Sequence, residues 1–154
     1  MNLKVLNIFL FFVLTFQASL SQEGNQELEK KYYFTKSKGD VTLDIEIINL
    51  KSNKGFIHIS IQDKNKDQVA AAVFLKINNR KSSISFDSLT IGSYAIQFYH
   101  DENKNRKLDV NLIGIPKESF GSSNDVKPVF APPKFEKMLF DLNENLKITM
   151  KPVN

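Results

Sequence analysis

The chain has 154 residues, contains no cysteine and carries a formal net charge of +4 at pH 7. Its length suits one domain with its own hydrophobic core. A chain without cysteine has no disulfide framework, no thiol nucleophile and no lipid-modified N-terminal cysteine. Basic pairs such as Arg80-Lys81 and Arg106-Lys107 are scattered among acidic residues, so the sequence does not indicate a nucleic-acid-binding surface.

The first 21 residues have the pattern of a secretory signal peptide. Lys4 precedes an apolar run at 5–16, and small residues follow the run up to Ser21. A membrane-spanning helix needs about 20 apolar residues, and this run is shorter. We therefore predict cleavage after Ser21, export to the periplasm or the extracellular space, and no stable membrane anchor in the mature protein.

Residues 22–39 are polar and charged and have no periodic apolar face. This composition predicts a spacer that is unstructured or weakly helical. It precedes a single predicted domain at 40–154. In that domain apolar and polar residues alternate with period two, as in 41–47 and 57–61, which is typical of half-buried strands. Candidate strands occupy 41–47, 57–61, 69–77, 83–89, 93–100, 135–142 and 146–150.

Seven short strands without an amphipathic helix predict an all-β fold, a seven-stranded antiparallel β-sandwich of the immunoglobulin-like or prealbumin-like type. One loop, between strands five and six, is more than thirty residues long. Loops beyond about 12 to 15 residues are uncommon without internal organisation. Either a bound cation or apolar packing against the end of the sandwich could organise it.

The start of this long loop has the spacing of a calcium-binding loop. Its candidate ligands are the side chains of Asp101, Asn103, Asn105 and Asp109 at positions 1, 3, 5 and 9 and the carbonyl of Lys107 at position 7. Arg106 replaces the usual glycine at position 6, and Leu112 replaces the usual glutamate at position 12. Glu118 or Asp125 could supply the missing carboxylate. We expect a weak Ca²⁺ site, with a dissociation constant of about 10⁻⁴ to 10⁻³ M; the alternative is a solvated polar turn.

Several motifs lie in the second half of the chain, at 93–96, 100–103, 108–109, 114–118, 120–124 and 132–136. Together they resemble domain-of-unknown-function family 2141, which comprises small exported bacterial proteins. The resemblance covers about residues 40–150 and implies a β-sandwich without an assigned activity. Arg106 stands where the family usually has glycine, and Ser122 where it usually has an aromatic residue.

Other candidate sites are weaker. Asp63, Asn65 and Asp67 repeat a shorter oxygen spacing, but three strands separate them from Asp101, so we expect a connecting turn at the opposite end of the domain. His58 lies on a polar strand face and is expected at the surface, whereas His100 is expected to pack inside as its strand ends.

The leading functional hypothesis is an exported, noncatalytic domain, stabilised by calcium, that binds a carbohydrate, a peptide or an envelope component. One alternative is a metal-dependent hydrolase that uses His100, Asp101 and Glu118. The other is a transthyretin-like carrier of a small apolar ligand. A concave pocket holding His100 and Glu118 would favour the hydrolase, and a flat aromatic surface including Tyr99 would favour binding. The pattern does not define an oligomeric state.

Overall fold

The computed structural model describes residues 32–35, 38–128 and 133–153, and this part of the chain is all-β. The predicted signal peptide, 1–21, lies outside the described residues. Within them, no helix is long and apolar enough to cross a membrane. The strands are β1 (Tyr32–Thr35), β2 (Val41–Ile47), β3 (Phe56–Asp63), β4 (Gln68–Leu75), β5 (Ser82–Leu89), β6 (Gly92–Asp101), β7 (Phe120–Ser122), β8 (Phe140–Leu142) and β9 (Leu146–Met150).

These strands form two sheets. The larger has the order β1-β4-β3-β6-β7, with β8 also paired to β6, and the smaller has the order β5-β2-β9. One cluster of buried apolar side chains contains Leu43, Ile45 and Ile47 of the smaller sheet together with Ile59 and Ile96 of the larger. Alternate residues of β2, β3 and β6 face this shared core, as period-two patterning requires. The arrangement is consistent with a β-sandwich.

The centre of the larger sheet positions the loop that carries the candidate site. Strand β6 pairs antiparallel with β3 from Phe56 opposite Asp101 to Asp63 opposite Tyr94. Asp101 therefore ends the longest strand, next to the first residue of β3, while the Asp63 turn lies at the other end. The predicted separation of the two acidic turns is confirmed.

One strand pairing and one helical turn in the described part of the chain differ from the expectation of seven antiparallel strands. All pairs are antiparallel except β2 with β9, which run parallel. The turn after β8 crosses from the larger sheet to the smaller, so β8 and β9 do not form a hairpin. The predicted strand at 135–142 is divided into a single helical turn, α1 (Phe135–Met138), and the short β8. Phe135 and Met138 have helical i, i+3 spacing, and Met138 is buried.

Two further strands lie where the sequence predicted none. Strand β1 falls inside the predicted spacer 22–39 and pairs with β4. Strand β7 falls inside the long loop and pairs with β6, followed by a 3₁₀ turn at Ser123–Asp125. The Ser123 hydroxyl donates to the Met138 carbonyl at 2.5 Å and accepts from the Ile96 N–H at 3.0 Å. Backbone and hydroxyl hydrogen bonds therefore organise the second half of this loop.

Candidate functional site

The candidate site is built on the face of the larger sheet that points away from the shared core. His58 pairs directly opposite Tyr99, and Asp101 follows two positions later on the same face. All three residues are buried although none belongs to the main apolar cluster. The 102–118 segment covers this face: Lys104 lies 5.4 Å from the Phe56 ring centroid and Arg106 lies 5.1 Å from that of Phe74.

His58 is the main residue that sequence reasoning misplaced. It was expected at the surface, yet its side chain is buried and its Nε2 lies 3.2 Å from Asp101 Oδ2. Its ring also stacks on Tyr99 with centroids 4.7 Å apart and an interplanar angle of 6°. The polar strand face was correctly predicted, but a loop covers it. Tyr99 is buried as well, so it does not contribute to a flat exposed aromatic surface, the feature that would have favoured a binding role.

A β-bulge brings Phe74 to the same cluster. Ile57 pairs with Leu75 and Ile59 with Ala72, so β4 contains one extra residue in this interval. Phe74 adopts a left-handed conformation there, with φ of 56°. Its ring packs edge-on against Phe56 and His58, at centroid distances of 5.5 and 5.3 Å.

The buried Asp101 carboxylate has three hydrogen-bond partners. Oδ2 faces His58 Nε2 and accepts from the Arg106 N–H at 2.9 Å, while Oδ1 accepts from the Asn105 N–H at 3.0 Å. Burial raises the pKa of Asp101, but the hydrogen bonds and the nearby imidazole outweigh it, so that the pKa lies below its usual value. The charged carboxylate thus holds the loop against the sheet.

The calcium-type spacing folds into successive side-chain turns. The Asn103 amide oxygen accepts from the Asn105 N–H at 3.0 Å, and the Asn105 amide oxygen accepts from the Lys107 N–H at 2.8 Å. Arg106, at the position usually taken by glycine, has φ of 66°. The expected left-handed turn at position 6 is therefore present despite the Cβ atom.

Asp109 closes the loop. Its Oδ2 accepts from the Asn103 amide nitrogen at 2.5 Å and its Oδ1 accepts from the Asn105 amide nitrogen at 2.9 Å. The Asp109 N–H in turn donates to Glu118 Oε2 at 3.1 Å. Glu118 Oε1 accepts from the Glu102 N–H at 3.0 Å, so this one side chain ties together the two ends of the loop.

The charge around Glu118 is unbalanced. Burial raises the pKa of Glu118, and the neighbouring Asp101 and Asp109 charges raise it further. The two backbone N–H donors only partly offset this, so the pKa lies above its usual value. Among the described residues, no lysine, arginine or histidine forms an ion pair with Glu118 or Asp109.

Close backbone packing also fixes the start of the loop. Gly55 has φ of 73°, and a Cβ atom built on it would lie 1.9 Å from the Asp101 carbonyl oxygen. Only glycine allows both the left-handed conformation and this approach. A glycine immediately before a strand was the only signal for this role in the sequence.

The loop brings together the predicted side chains of Asp101, Asn103, Asn105, Asp109 and Glu118, and Lys107 contributes its N–H. Within 32–35, 38–128 and 133–153, no three His, Cys, Asp or Glu side chains are grouped so that they alone could hold a metal ion. A cation here would also need the amide or carbonyl oxygens. Calcium accepts such a mixed oxygen set.

The predicted hydrolase trio is not assembled. His100 and Asp101 are consecutive strand residues, so their side chains point to opposite faces of the sheet. His100 is buried, as predicted, and its Nε2 lies 2.6 Å from the Lys54 carbonyl oxygen. Glu118 belongs to the Asp101 side. The histidine beside Asp101 of the acidic loop, residues 101–118, is instead His58, whereas His100 Nδ1 lies 3.7 Å from Glu102 Oε1.

The comparisons with known proteins agree with the pattern of motifs. A family model described as "Uncharacterized protein conserved in bacteria" matches residues 45–149. No curated protein and no solved structure matches the chain. Since the family model spans more than half of the sequence, including the acidic loop and both sheets, the chain belongs to domain-of-unknown-function family 2141.

Proposed function

We propose that this chain is an exported, noncatalytic β-sandwich domain whose 101–118 loop binds a calcium ion and which attaches to an envelope component. One observation carries the calcium proposal: the half-buried Glu118 carboxylate has no cationic partner among the described residues and lies near Asp101 and Asp109. Its pKa is raised by burial first and by these two charges in addition. A divalent cation would relieve this repulsion. We also propose that the sandwich is of the immunoglobulin-like or prealbumin-like type.

The donor set suits a weak calcium site. A carboxylate offers about four lone-pair sites, and three donors contact Asp101, which leaves one site on its Oδ1. Asp109 and Glu118 each accept two hydrogen bonds and retain two sites. The Asn103 and Asn105 amide oxygens already accept from the Asn105 and Lys107 N–H groups, so calcium ligation by these oxygens would compete with the turn hydrogen bonds. We therefore expect a dissociation constant of about 10⁻⁴ to 10⁻³ M.

A calcium titration monitored by thermal unfolding tests this proposal. At free calcium about tenfold above the dissociation constant, the folded state should gain about 1.4 kcal/mol. The conservative variant Glu118→Gln should lose most of this gain. Asp63→Asn is the matched control, because Asp63 Oδ1 also accepts two backbone hydrogen bonds in an acidic turn, from Asn65 and Asp67. An unchanged melting temperature at about 10 mM calcium, above this affinity class, would overturn the proposal.

The geometry favours a noncatalytic role over the hydrolase. The histidine and carboxylate that would act together, His100 and Asp101, project to opposite sides of β6. His58 is adjacent to Asp101 but is enclosed by Tyr99 and Phe74. Its ring is therefore committed to packing. Both side chains are buried, His58 at 3% and Asp101 at 0% exposure.

The export proposal is supported by the sequence pattern of residues 1–21. Mass spectrometry of the protein isolated from its native cells tests it. A mature N-terminus at Gln22 is expected, and recovery of the chain with Met1 intact from a membrane fraction would contradict cleavage.

A further inference from the structure

A small hairpin between Asp109 and Glu118 projects apolar side chains into solvent. Val110 and Pro116 form an isolated bridge, and the Asn111 N–H donates to the Ile115 carbonyl at 2.8 Å. We call its four exposed apolar residues the apolar tip. Their exposures are 40% for Val110, 104% for Leu112, 73% for Ile113 and 54% for Ile115. They are four of the five large exposed apolar residues in the described part of the chain.

The exposure of the apolar tip follows from an ordered turn. The Asn111 amide oxygen accepts from the N–H groups of Ile113 and Ile115, at 3.0 and 2.9 Å. The Gly114 N–H donates to the Asn111 carbonyl at 3.0 Å, and Gly114 supplies the left-handed residue with φ of 81°. These bonds hold the backbone so that Leu112 and Ile113 point outward. A contiguous exposed apolar patch of this kind indicates an interaction site.

The apolar tip belongs to the segment 101–118, in which the basic and the acidic side chains differ in their exposure to solvent. The charged side chains of 101–118 that are exposed are all basic: Lys104, Arg106, Lys107 and Lys117. The four acidic ones, Asp101, Glu102, Asp109 and Glu118, are buried or half-buried. The exposed charge of this segment is therefore positive, although it has four basic and four acidic residues. Lys117 directly follows Pro116, which ends the hairpin.

We propose that the apolar tip inserts into the surface of an anionic lipid membrane. A convex protrusion that is fully exposed requires a partner that can surround it, and acyl chains do so without a preformed pocket. Lysines and arginines near the surface add electrostatic attraction to anionic headgroups. This inference names the envelope component of the proposed function and rests on the export part of it. It does not depend on calcium binding.

Site-specific fluorescence tests the insertion. Because the chain has no cysteine, Leu112→Cys in the full chain can be labelled with an environment-sensitive nitrobenzoxadiazole probe. Adding vesicles of phosphatidylcholine and phosphatidylglycerol should shift its emission to the blue. The matched control is Ile91→Cys. Ile91 is 66% exposed and lies in the turn before β6, whereas the acidic loop and the apolar tip follow the other end of β6. The emission of the control probe should not change. This local readout is independent of whether residues 1–21 are still attached.

Two further variants separate the apolar and electrostatic contributions. In the labelled Leu112→Cys chain, Ile113→Asn with Ile115→Asn should weaken the vesicle response at least about tenfold. Lys107→Gln with Lys117→Gln should weaken it mainly at low salt. An unchanged Leu112 probe, equal responses at Leu112 and Ile91, or equal binding to purely neutral vesicles would each overturn the proposal. An inserted Leu112 probe with Met1 retained would overturn export but not insertion.

Discussion

His58 and Asp101, 43 residues apart in the chain, form a buried side-chain pair with 3.2 Å between Nε2 and Oδ2. The pair lies diagonally across β3 and β6, because His58 is opposite Tyr99. It joins the sheet to the first residue of the acidic loop. The loop is therefore an extension of the larger sheet rather than an independent segment.

Removing one member of this pair should be costly. His58→Ala should lower the free energy of unfolding by about 3 kcal/mol, because it leaves a buried carboxylate short of a donor. A double-mutant cycle with Asp101→Ala, measured by urea unfolding, should give a coupling of about 1 to 3 kcal/mol. The surface pair Lys147 and Glu46, 3.9 Å apart, is the control and should give about 0.5 kcal/mol or less. Equal couplings would show that burial of the His58 pair adds nothing.

Acid should remove the stabilisation contributed by Asp101. Its folded-state pKa lies below the usual value of 3.8, so the folded state favours the charged carboxylate. This contribution is present above the unfolded-state pKa and is lost as pH falls through the folded-state pKa. The stability difference between the wild type and Asp101→Asn, from urea unfolding at several pH values, should therefore shrink on acidification. A difference that grows would reverse the assigned sign.

Two glycines with positive φ allow steric and conformational effects to be separated. A Cβ atom added to Gly114, with φ of 81°, would meet no other part of the protein within 4 Å, whereas one added to Gly55 would lie 1.9 Å from the Asp101 carbonyl oxygen. Gly114→Ala should cost about 1 kcal/mol through backbone strain alone. Gly55→Ala should cost about 3 kcal/mol or more, since the clash adds to the strain. If urea unfolding gives similar losses of unfolding free energy for the two variants, the backbones at Gly55 and Asp101 can move apart to accommodate the added Cβ atom.

Because Arg106 has a positive φ, we expect glycine to give a more stable protein than alanine at this position, the reverse of the usual order. Arg106→Gly and Arg106→Ala both remove the guanidinium from the Phe74 ring, but only glycine adopts φ of 66° without penalty. The glycine variant should be about 1 kcal/mol more stable than the alanine variant. At Lys107, which does not have positive φ, alanine should be the more stable of the two. Thermal unfolding of the four variants checks this reversal.

Much of the strand pattern could be predicted because period-two alternation reports which side of a strand is buried. The sequence boundaries for β2, β5, β6 and β9 lie within about one residue of those observed. Strand β1 was missed because its aromatic and β-branched sequence, Tyr32–Thr35, lies within a charged segment. The charged composition of 22–39 indicated an unstructured spacer more strongly than these four residues indicated a strand.

The acidic loop could be placed from its spacing, but its partners could not. His58 lies on the face of β3 that carries alternating polar residues. Nothing in this alternation indicates that a loop later in the sequence covers that face. The Phe74 bulge is likewise a property of pairing between β3 and β4. Such contacts depend on how segments distant in sequence pair with one another, and the alternation of residues within a single strand does not specify that pairing.

The parallel pairing of β2 with β9 delays completion of the fold during synthesis. Leu43 pairs with Leu146, 103 positions further along the chain, and the Thr42 N–H donates to the Asn145 side chain at 2.8 Å. The smaller sheet cannot close until nearly all of the described domain has left the ribosome, and contacts this distant form slowly.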